Sequence, residues 1–200
     1  MTSHEEDGGT DPVPTLNIAN VLTTLRIVMV PFFAWALLAD DSGYGVLRWV
    51  AVAVFAAAIY TDKLDGDLAR SRGLITNFGK IADPIADKLL LGSALVLLSL
   101  LGELPWWITV VILVRELGIT LLRFAVIRYG VMPASRGGKL KTVTQSLAVF
   151  LYLLPVTHTV GWLEVVALAV MLLAVAITLY TGIDYVFQAA RLRAAARRGK

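Results

Sequence analysis

A chain of 200 residues that is 58% hydrophobic and only 16% charged departs from soluble domains, in which about a quarter of residues carry charge. Its formal net charge is +3 and it has no cysteine, which excludes disulfides, zinc–thiolate centres and cysteine nucleophiles. His4 and His158 are the two histidines, and neither has the companions that a histidine metal cluster or a Ser-His-Asp triad needs.

The first 15 residues are acidic and carry Pro and Gly. They lack the basic start of a signal peptide and read as a disordered cytosolic lead-in. A membrane span needs about 20 mostly apolar residues. Six stretches qualify: 18–39, 46–70, 80–101, 105–128, 140–157 and 162–188. Their connections are short and no internal repeat is visible, so the pattern predicts an all-α integral membrane protein, six transmembrane helices in one bundle. The segment 191–200 is basic and is predicted to lie at the cytosolic headgroup surface.

Lys and Arg orient the bundle. The turns at 40–45, 102–104 and 156–161 have none. Arg72, Lys80, Arg128, Arg136, Lys139, Lys141 and the basic tail lie in or beside the other connections. The positive-inside rule makes those connections and both termini cytoplasmic. Arg48, near the other face, reads as a snorkelling side chain. Within the spans, polar residues gather in the cytoplasmic halves: Asn20, Thr23 and Arg26, then Asp62 to Arg70, Asp83 to Lys88, Arg115, Glu116 and Arg123, and Lys141 with Gln145. That asymmetry predicts a polar cavity open to the cytosol and shielded from lipid by helices.

The densest part of this polar set is Asp62, Asp65, Asp83 and Asp87. An ionised Asp in hydrocarbon costs at least a few kcal/mol, so four of them need a reason. Asp62 and Asp65 are i, i+3 at the end of the second span, and Asp83 and Asp87 are i, i+4 at the start of the third, so each pair shares a helix face. The turn between the spans is tight, which sets the pairs facing across an antiparallel hairpin. Four facing carboxylates repel unless cations intervene. All-oxygen ligation favours Mg²⁺ or Mn²⁺, and two ions about 4 Å apart would suit a phosphate ester. Gly66 leaves the helix backbone open to a ligand, and Arg70, one turn on, could grip a phosphate bidentately. The plainer alternative is a set of buried ion pairs among Asp62, Asp65, Arg70, Lys80 and Lys88. Asp67, i+4 from Lys63, reads as a salt-bridge partner on another face, and Glu116 and Asp184 each read as either an ion-pair partner, the favoured role, or a residue lining the cavity.

The run D-x2-D-G-x2-A-R-x8-G-x3-D-x3-D, filled from Asp62 to Asp87, resembles the signature of the CDP-alcohol phosphotransferases. The resemblance implies that an acceptor hydroxyl attacks phosphorus in a CDP-linked substrate and CMP leaves, with two divalent ions in support. It implies that Asp62, Asp65, Asp83 and Asp87 hold metal and that Asp87 also takes the acceptor proton. Gly66, Arg70, Thr76 and Gly79 would contact the CDP group, and Asn20 and Thr23 on the first span either line the donor side or fasten helices.

A second polar stretch runs from Arg115 through Arg123 to Ser135, Lys139 and Lys141. Two arginines in one span and a Gly-rich turn with lysines at the same end would suit a phosphate-bearing acceptor; ordinary positive-inside charge is the plainer reading. The segments NIANVLTTLRIVMVPFF, ADPIADKLL, RELGITLLR and ASRGGKLKTVTQ are similar to the branch of the family that makes phosphatidylglycerophosphate. That likeness implies CDP-diacylglycerol as donor, sn-glycerol 3-phosphate as acceptor, acyl chains left in lipid and a homodimer in a bacterial-type plasma membrane. Membrane lipids, and no nucleic acid, are the implied surroundings. The same metal core would serve inositol phosphate, serine or phosphatidylglycerol as acceptor. An ion-coupled transporter is the alternative outside enzymes, but it predicts internal repeats and helices broken at mid-membrane.

Overall fold

The structure is a computed structural model that describes residues 17–72, 76–126 and 136–198. The acidic lead-in and the turn that carries Ser135 lie outside these residues. Among those described there are seven helices and no strand: α1 (Ile18–Asp40), α2 (Val46–Arg72), α3 (Asn77–Leu100), α4 (Trp106–Val126), α5 (Arg136–Leu153), α6 (Pro155–Thr159) and α7 (Gly161–Arg198). Every predicted span corresponds to a long helix. Two features differ from the sequence reading. The turn at 156–161 contains the single-turn helix α6, started by Pro155 at a position where a missing N–H costs nothing. The basic segment from Arg191 continues α7 as helix to Arg198, because its Ala- and Arg-rich composition favours helix.

Small residues let the helices approach closely. Ala36, Ala51, Ala58, Ala86, Ala94, Ala148 and Ala174 are fully buried, and without larger side chains their backbones can pack tightly. Phe33 and Phe55 fill the space between α1 and α2 with ring centroids 5.7 Å apart. Leu98, Ile108, Leu153 and Met171 complete the interior from α3, α4, α5 and α7. α1 packs along α2 and α3, and α7 along α4 and α5.

The outward faces carry large apolar side chains, among them Trp35, Val114, Leu121, Phe124, Trp162 and Phe187. Two stretches, Asn20–Asp40 and Gly161–Ala194, are by themselves long and apolar enough to cross a membrane. α2, α3 and α4 are of comparable length but carry more charge for their length. An apolar exterior over a partly polar interior is the surface of a membrane-associated protein.

The end of the bundle away from the carboxylates is tied by Arg48, and here the structure corrects the sequence reading. Arg48 does not snorkel; it is 0% exposed. Its Nε donates to the Leu153 carbonyl at 2.8 Å and its Nη2 to the Tyr152 carbonyl at 2.9 Å. The guanidinium also forms a two-point ion pair with Glu103, which accepts the Ser42 hydroxyl at 2.9 Å. Tyr44 lies under Arg48 at 5.5 Å and stacks on His158 at 4.7 Å. One guanidinium therefore joins the α1–α2 turn, the α3–α4 turn and the C-terminus of α5, where carbonyls are left over by the helix. The Asp40 carboxylate organises the first of these turns by accepting the N–H groups of Tyr44, Gly45 and Arg48, which caps α2.

Candidate active site

At the other end, α1 supplies the side chains that hold the carboxylates. Asn17 caps α1 by accepting the Asn20 N–H at 3.0 Å, which starts the helix so that Asn20, Thr23 and Arg26 follow at i, i+3 and i+6. Thr23 donates to Asp83 Oδ1 at 2.6 Å and lies 3.4 Å from Asp65 Oδ2. Asn20 accepts the Thr76 hydroxyl at 3.0 Å. Asn20, Thr23 and Thr76 are all buried and all fasten α1 to its neighbours; none is among the residues lining the cavity described next.

Arg26 is the residue whose importance the sequence did not reveal. It is 0% exposed and its guanidinium pairs with both Asp62 and Asp65. The alternative ion-pair set drawn from the sequence had its cations on α2 and α3; among the described side chains, which exclude those of Arg70 and Lys80, the cation paired with Asp62 and Asp65 comes from α1. Its Nε has no hydrogen-bond partner. A mid-span arginine three residues after a threonine that faces the same site was the available signal. Arg26 supplies positive charge where facing carboxylates require it. Among the described residues no three His, Asp or Glu side chains lie close enough together to enclose one ion. The donor chemistry nevertheless fits a hard divalent cation: four carboxylates and, among the described residues, no thiolate or imidazole at this end.

A cavity of about 1100 Å³ collects the rest. Asp62, Asp65, Asp83 and Asp87 line it with Gly66 on one side; Arg115, Arg123, Gly138 and Lys141 line it on the other. The two polar stretches, separate in the chain, thus share one chamber. Ile59 and Tyr60 on α2 and Val143, Leu147 and Phe150 on α5 give the cavity an apolar stretch of wall. The side chains of Asp67, Arg70 and Lys139, and the placement of Gly79 relative to the site, lie outside the described residues, as does Ser135.

The basic side is built by three helices. Glu116 pairs with Arg115 at 3.0 Å and with Lys141, and so joins α4 to α5 as an ion-pair partner. Lys88 donates to Thr120 on α4. Arg115 reaches α7, where Nε donates to the Thr178 carbonyl at 3.1 Å and Nη2 to the Thr181 hydroxyl at 2.8 Å. Tyr185 completes the wall, with Arg123 over its ring at 4.7 Å and Arg115 at 5.7 Å. The sequence reading passed over this part of α7. Thr178, Thr181, Gly182 and Tyr185, at i, i+3, i+4 and i+7 in an otherwise apolar helix, were the visible sign of a functional face. Asp184, read as an ion-pair partner, accepts the Gln188 amide at 2.8 Å on the outside of the helix.

A chamber with carboxylates on one wall and fixed cations on the other can hold a polyvalent anion together with the metal ions that neutralise it. Similarity to known proteins agrees with that chemistry. Residues 16–180 match the family described as CDP-alcohol phosphatidyltransferase. A protein of Mycobacterium tuberculosis named probable phosphatidylglycerophosphate synthase is 55% identical over 175 residues, covering 88% of this chain and 82% of its own. The CDP-diacylglycerol–glycerol-3-phosphate 3-phosphatidyltransferase of Bacillus subtilis is 38% identical over 148 residues, 69% of this chain and 77% of its own. A CMP-forming cardiolipin synthase of Streptomyces coelicolor is 35% identical over 182 residues, 88% of this chain and 84% of its own.

Proposed function

The chain belongs to the CDP-alcohol phosphatidyltransferase family, and from that premise we propose that it transfers the phosphatidyl group of CDP-diacylglycerol to sn-glycerol 3-phosphate, releasing CMP. The observation that carries this reading is the single cavity lined by all four aspartates and by Arg115, Arg123 and Lys141. Relatives at 55% and 38% identity bear names for that reaction.

In this reading α1 to α5 and α7 are six spans of a bundle in a bacterial-type plasma membrane, and the cavity faces the cytosol together with both termini. The distribution of Lys and Arg supports the orientation, and the apolar exterior supports the spans. Asp62, Asp65, Asp83 and Asp87 would hold two Mg²⁺ or Mn²⁺ ions, whose role when bound is to offset the diphosphate charge and the charge developing on the CMP leaving group. Gly66 lets the diphosphate approach the α2 backbone. Arg70, Thr76 and Gly79 are assigned to the CDP group through the family signature, and Asn20 and Thr23 hold the donor side through Thr76, Asp65 and Asp83. Asp87 lines the chamber with Lys141 and Arg115, and is assigned as the base that accepts the hydroxyl proton of the acceptor.

Arg115, Arg123 and Lys141 bind the acceptor phosphate, joined by Ser135 from the α4–α5 connection and Lys139 from the first turn of α5. The apolar wall between α2 and α5 suits the acyl chains of the donor. A homodimer completes the reading by family likeness.

Phosphatidylglycerol as acceptor is the second reading, favoured by the likeness to the Streptomyces coelicolor cardiolipin synthase. The two separate in one experiment: CMP release from CDP-diacylglycerol with Mg²⁺ or Mn²⁺ across glycerol 3-phosphate, inositol phosphate, serine and phosphatidylglycerol. Turnover with glycerol 3-phosphate alone is expected, and turnover with none of the four refutes the enzymatic reading. Asp87→Asn is expected to reduce turnover by at least 10²-fold, the scale of general base catalysis, without lowering thermal stability.

A further inference from the structure

We propose that α7 is the positioning element of the acceptor pocket, with Tyr185 as the residue that fixes Arg115 and Arg123 in a single geometry. The inference rests on the reading of the basic wall as a phosphate site and adds to it how that wall is kept in shape.

Arg115 and Arg123 both come from α4, two turns apart, and α4 itself holds one corner of Arg115 through Glu116. Two guanidinium groups facing one anion site repel each other in its absence, and each has many rotamers. α7 addresses both difficulties. The Tyr185 ring is 3% exposed and lies within 6 Å of both guanidinium carbons, a distance at which the negative face of the ring attracts a cation. The Thr178 carbonyl and the Thr181 hydroxyl take two further corners of Arg115. Its third corner, Nη1, is left for Glu116 on the cavity side.

Gly182 makes the fit possible. A Cβ there would stand 3.3 Å from Arg115 Cγ and 3.4 Å from its Nε, so any side chain pushes the arginine off its seat by a few tenths of an ångström. Arginine grips phosphate through a planar fork whose orientation decides whether one or two hydrogen bonds form. Holding that fork before the ligand arrives spares the cost of ordering it on binding. Tyr185 touches neither phosphate nor donor in this scheme; it acts through the two arginines. Its effect must therefore appear in the acceptor affinity and nowhere else in the kinetics.

The test compares Tyr185→Leu, Tyr185→Phe and Gly182→Ala in the purified full chain. Acceptor KM is measured at saturating CDP-diacylglycerol and donor KM at saturating glycerol 3-phosphate. Stabilisation of each protein against heat by glycerol 3-phosphate and by inorganic phosphate reads the pocket without turnover. Tyr185→Leu is expected to raise acceptor KM about tenfold, the scale of two partly desolvated cation–π contacts, while kcat and donor KM stay within about twofold. Tyr185→Phe keeps the ring and is expected to stay within about twofold of wild type in all three constants. Gly182→Ala is expected to raise acceptor KM alone.

An equal loss in donor KM or kcat for Tyr185→Leu overturns the proposal by showing a merely structural ring, and the same loss in Tyr185→Phe overturns it by assigning the effect to the hydroxyl. Wild-type protein that is stabilised by phosphate yet releases no CMP refutes the proposed reaction; the seat then stands or falls on whether Tyr185→Leu weakens that stabilisation. Wild-type turnover with Tyr185→Leu unchanged in both assays refutes the seat and keeps the reaction.

Discussion

Arg48→Met tests the buried tie at the end of the bundle away from the carboxylates. The substitution keeps the length of the stem and removes the cation. Glu103 is then left with the Ser42 hydroxyl at 2.9 Å and His158 Nε2 at 3.6 Å. The Leu153 carbonyl loses its side-chain donor, whereas the Tyr152 carbonyl keeps His158 at 2.9 Å. Removing one partner of a buried ion pair costs about 3–5 kcal/mol because the other charge stays buried. Ser42 and His158 offset part of that cost, so the loss falls near the lower limit, about 3 kcal/mol. For a chain of this size each kcal/mol moves Tm by about 2–4 °C, giving a fall of about 6–12 °C.

The assay is thermal unfolding of the purified protein in a fixed detergent, followed by intrinsic fluorescence. Replacing both partners, as Arg48→Met with Glu103→Leu, removes the stranded charge and is expected to recover more than half of the loss, because an apolar pair of similar volume packs without a desolvation cost. CMP release per folded molecule is expected to be unchanged in both variants, since neither residue lines the cavity. A single variant within 2 °C of wild type, by a threshold of about one-third of the smallest predicted shift, would refute the account of Arg48 as the tie. So would a double variant less stable than Arg48→Met alone.

Three other outcomes follow from the structure. Arg26→Met removes the guanidinium paired with Asp62 and Asp65, so its melting temperature in EDTA is expected to fall below wild type and to recover on adding Mg²⁺ or Mn²⁺; recovery by Na⁺ at equal ionic strength would argue against a divalent site. Lys141→Met is expected to raise acceptor KM about 10- to 150-fold, the scale of a lost hydrogen bond from a charged donor at about 1.5–3 kcal/mol, with donor KM unchanged, as read by the CMP assay. Burial, reinforced by Glu103, raises the Tyr44 phenol above its ordinary value near 10. The unfolded chain then loses that proton first, so stability is fully present below about pH 10 and declines as pH rises through it. Tyr44→Phe is expected to flatten this decline in melting curves taken from pH 8 to 11; a profile identical to wild type would remove Tyr44 as its source.

The helices and the carboxylate pairs could be read from the sequence because they depend on short-range regularities. Apolar runs of about 20 residues mark the long helices, and offsets of three and four residues place Asp62 with Asp65 and Asp83 with Asp87 on shared faces. The spacing from Asp62 to Asp87 also carried the family resemblance. Partner choice across helices is not written in such local patterns. Arg26 meets Asp62 and Asp65 across 36 and 39 residues, and Arg48 meets Glu103 across 55. From sequence, Arg26 was one polar residue of a cytoplasmic half and Arg48 a surface charge. Arg26 becomes a buried counter-ion once α1 packs on α2, and Arg48 once α2 meets the α3–α4 turn and the end of α5, because a charge removed from water must find its opposite within reach.

The α7 face shows the same division. Its four residues are regularly spaced, yet they acquire a role when Arg115 and Arg123 arrive from α4, more than 60 residues away for the Arg115 contacts. By itself the sequence determined an all-helical, apolar chain with an acid-rich hairpin and a basic stretch, since each of these depends on neighbours a few residues apart. Only the tertiary structure decided that both stretches face one cavity, that α1 supplies a cation to the carboxylates, and that α7 seats the arginines. Those contacts depend on how helix faces meet in three dimensions, where burial forces every charge to choose a partner.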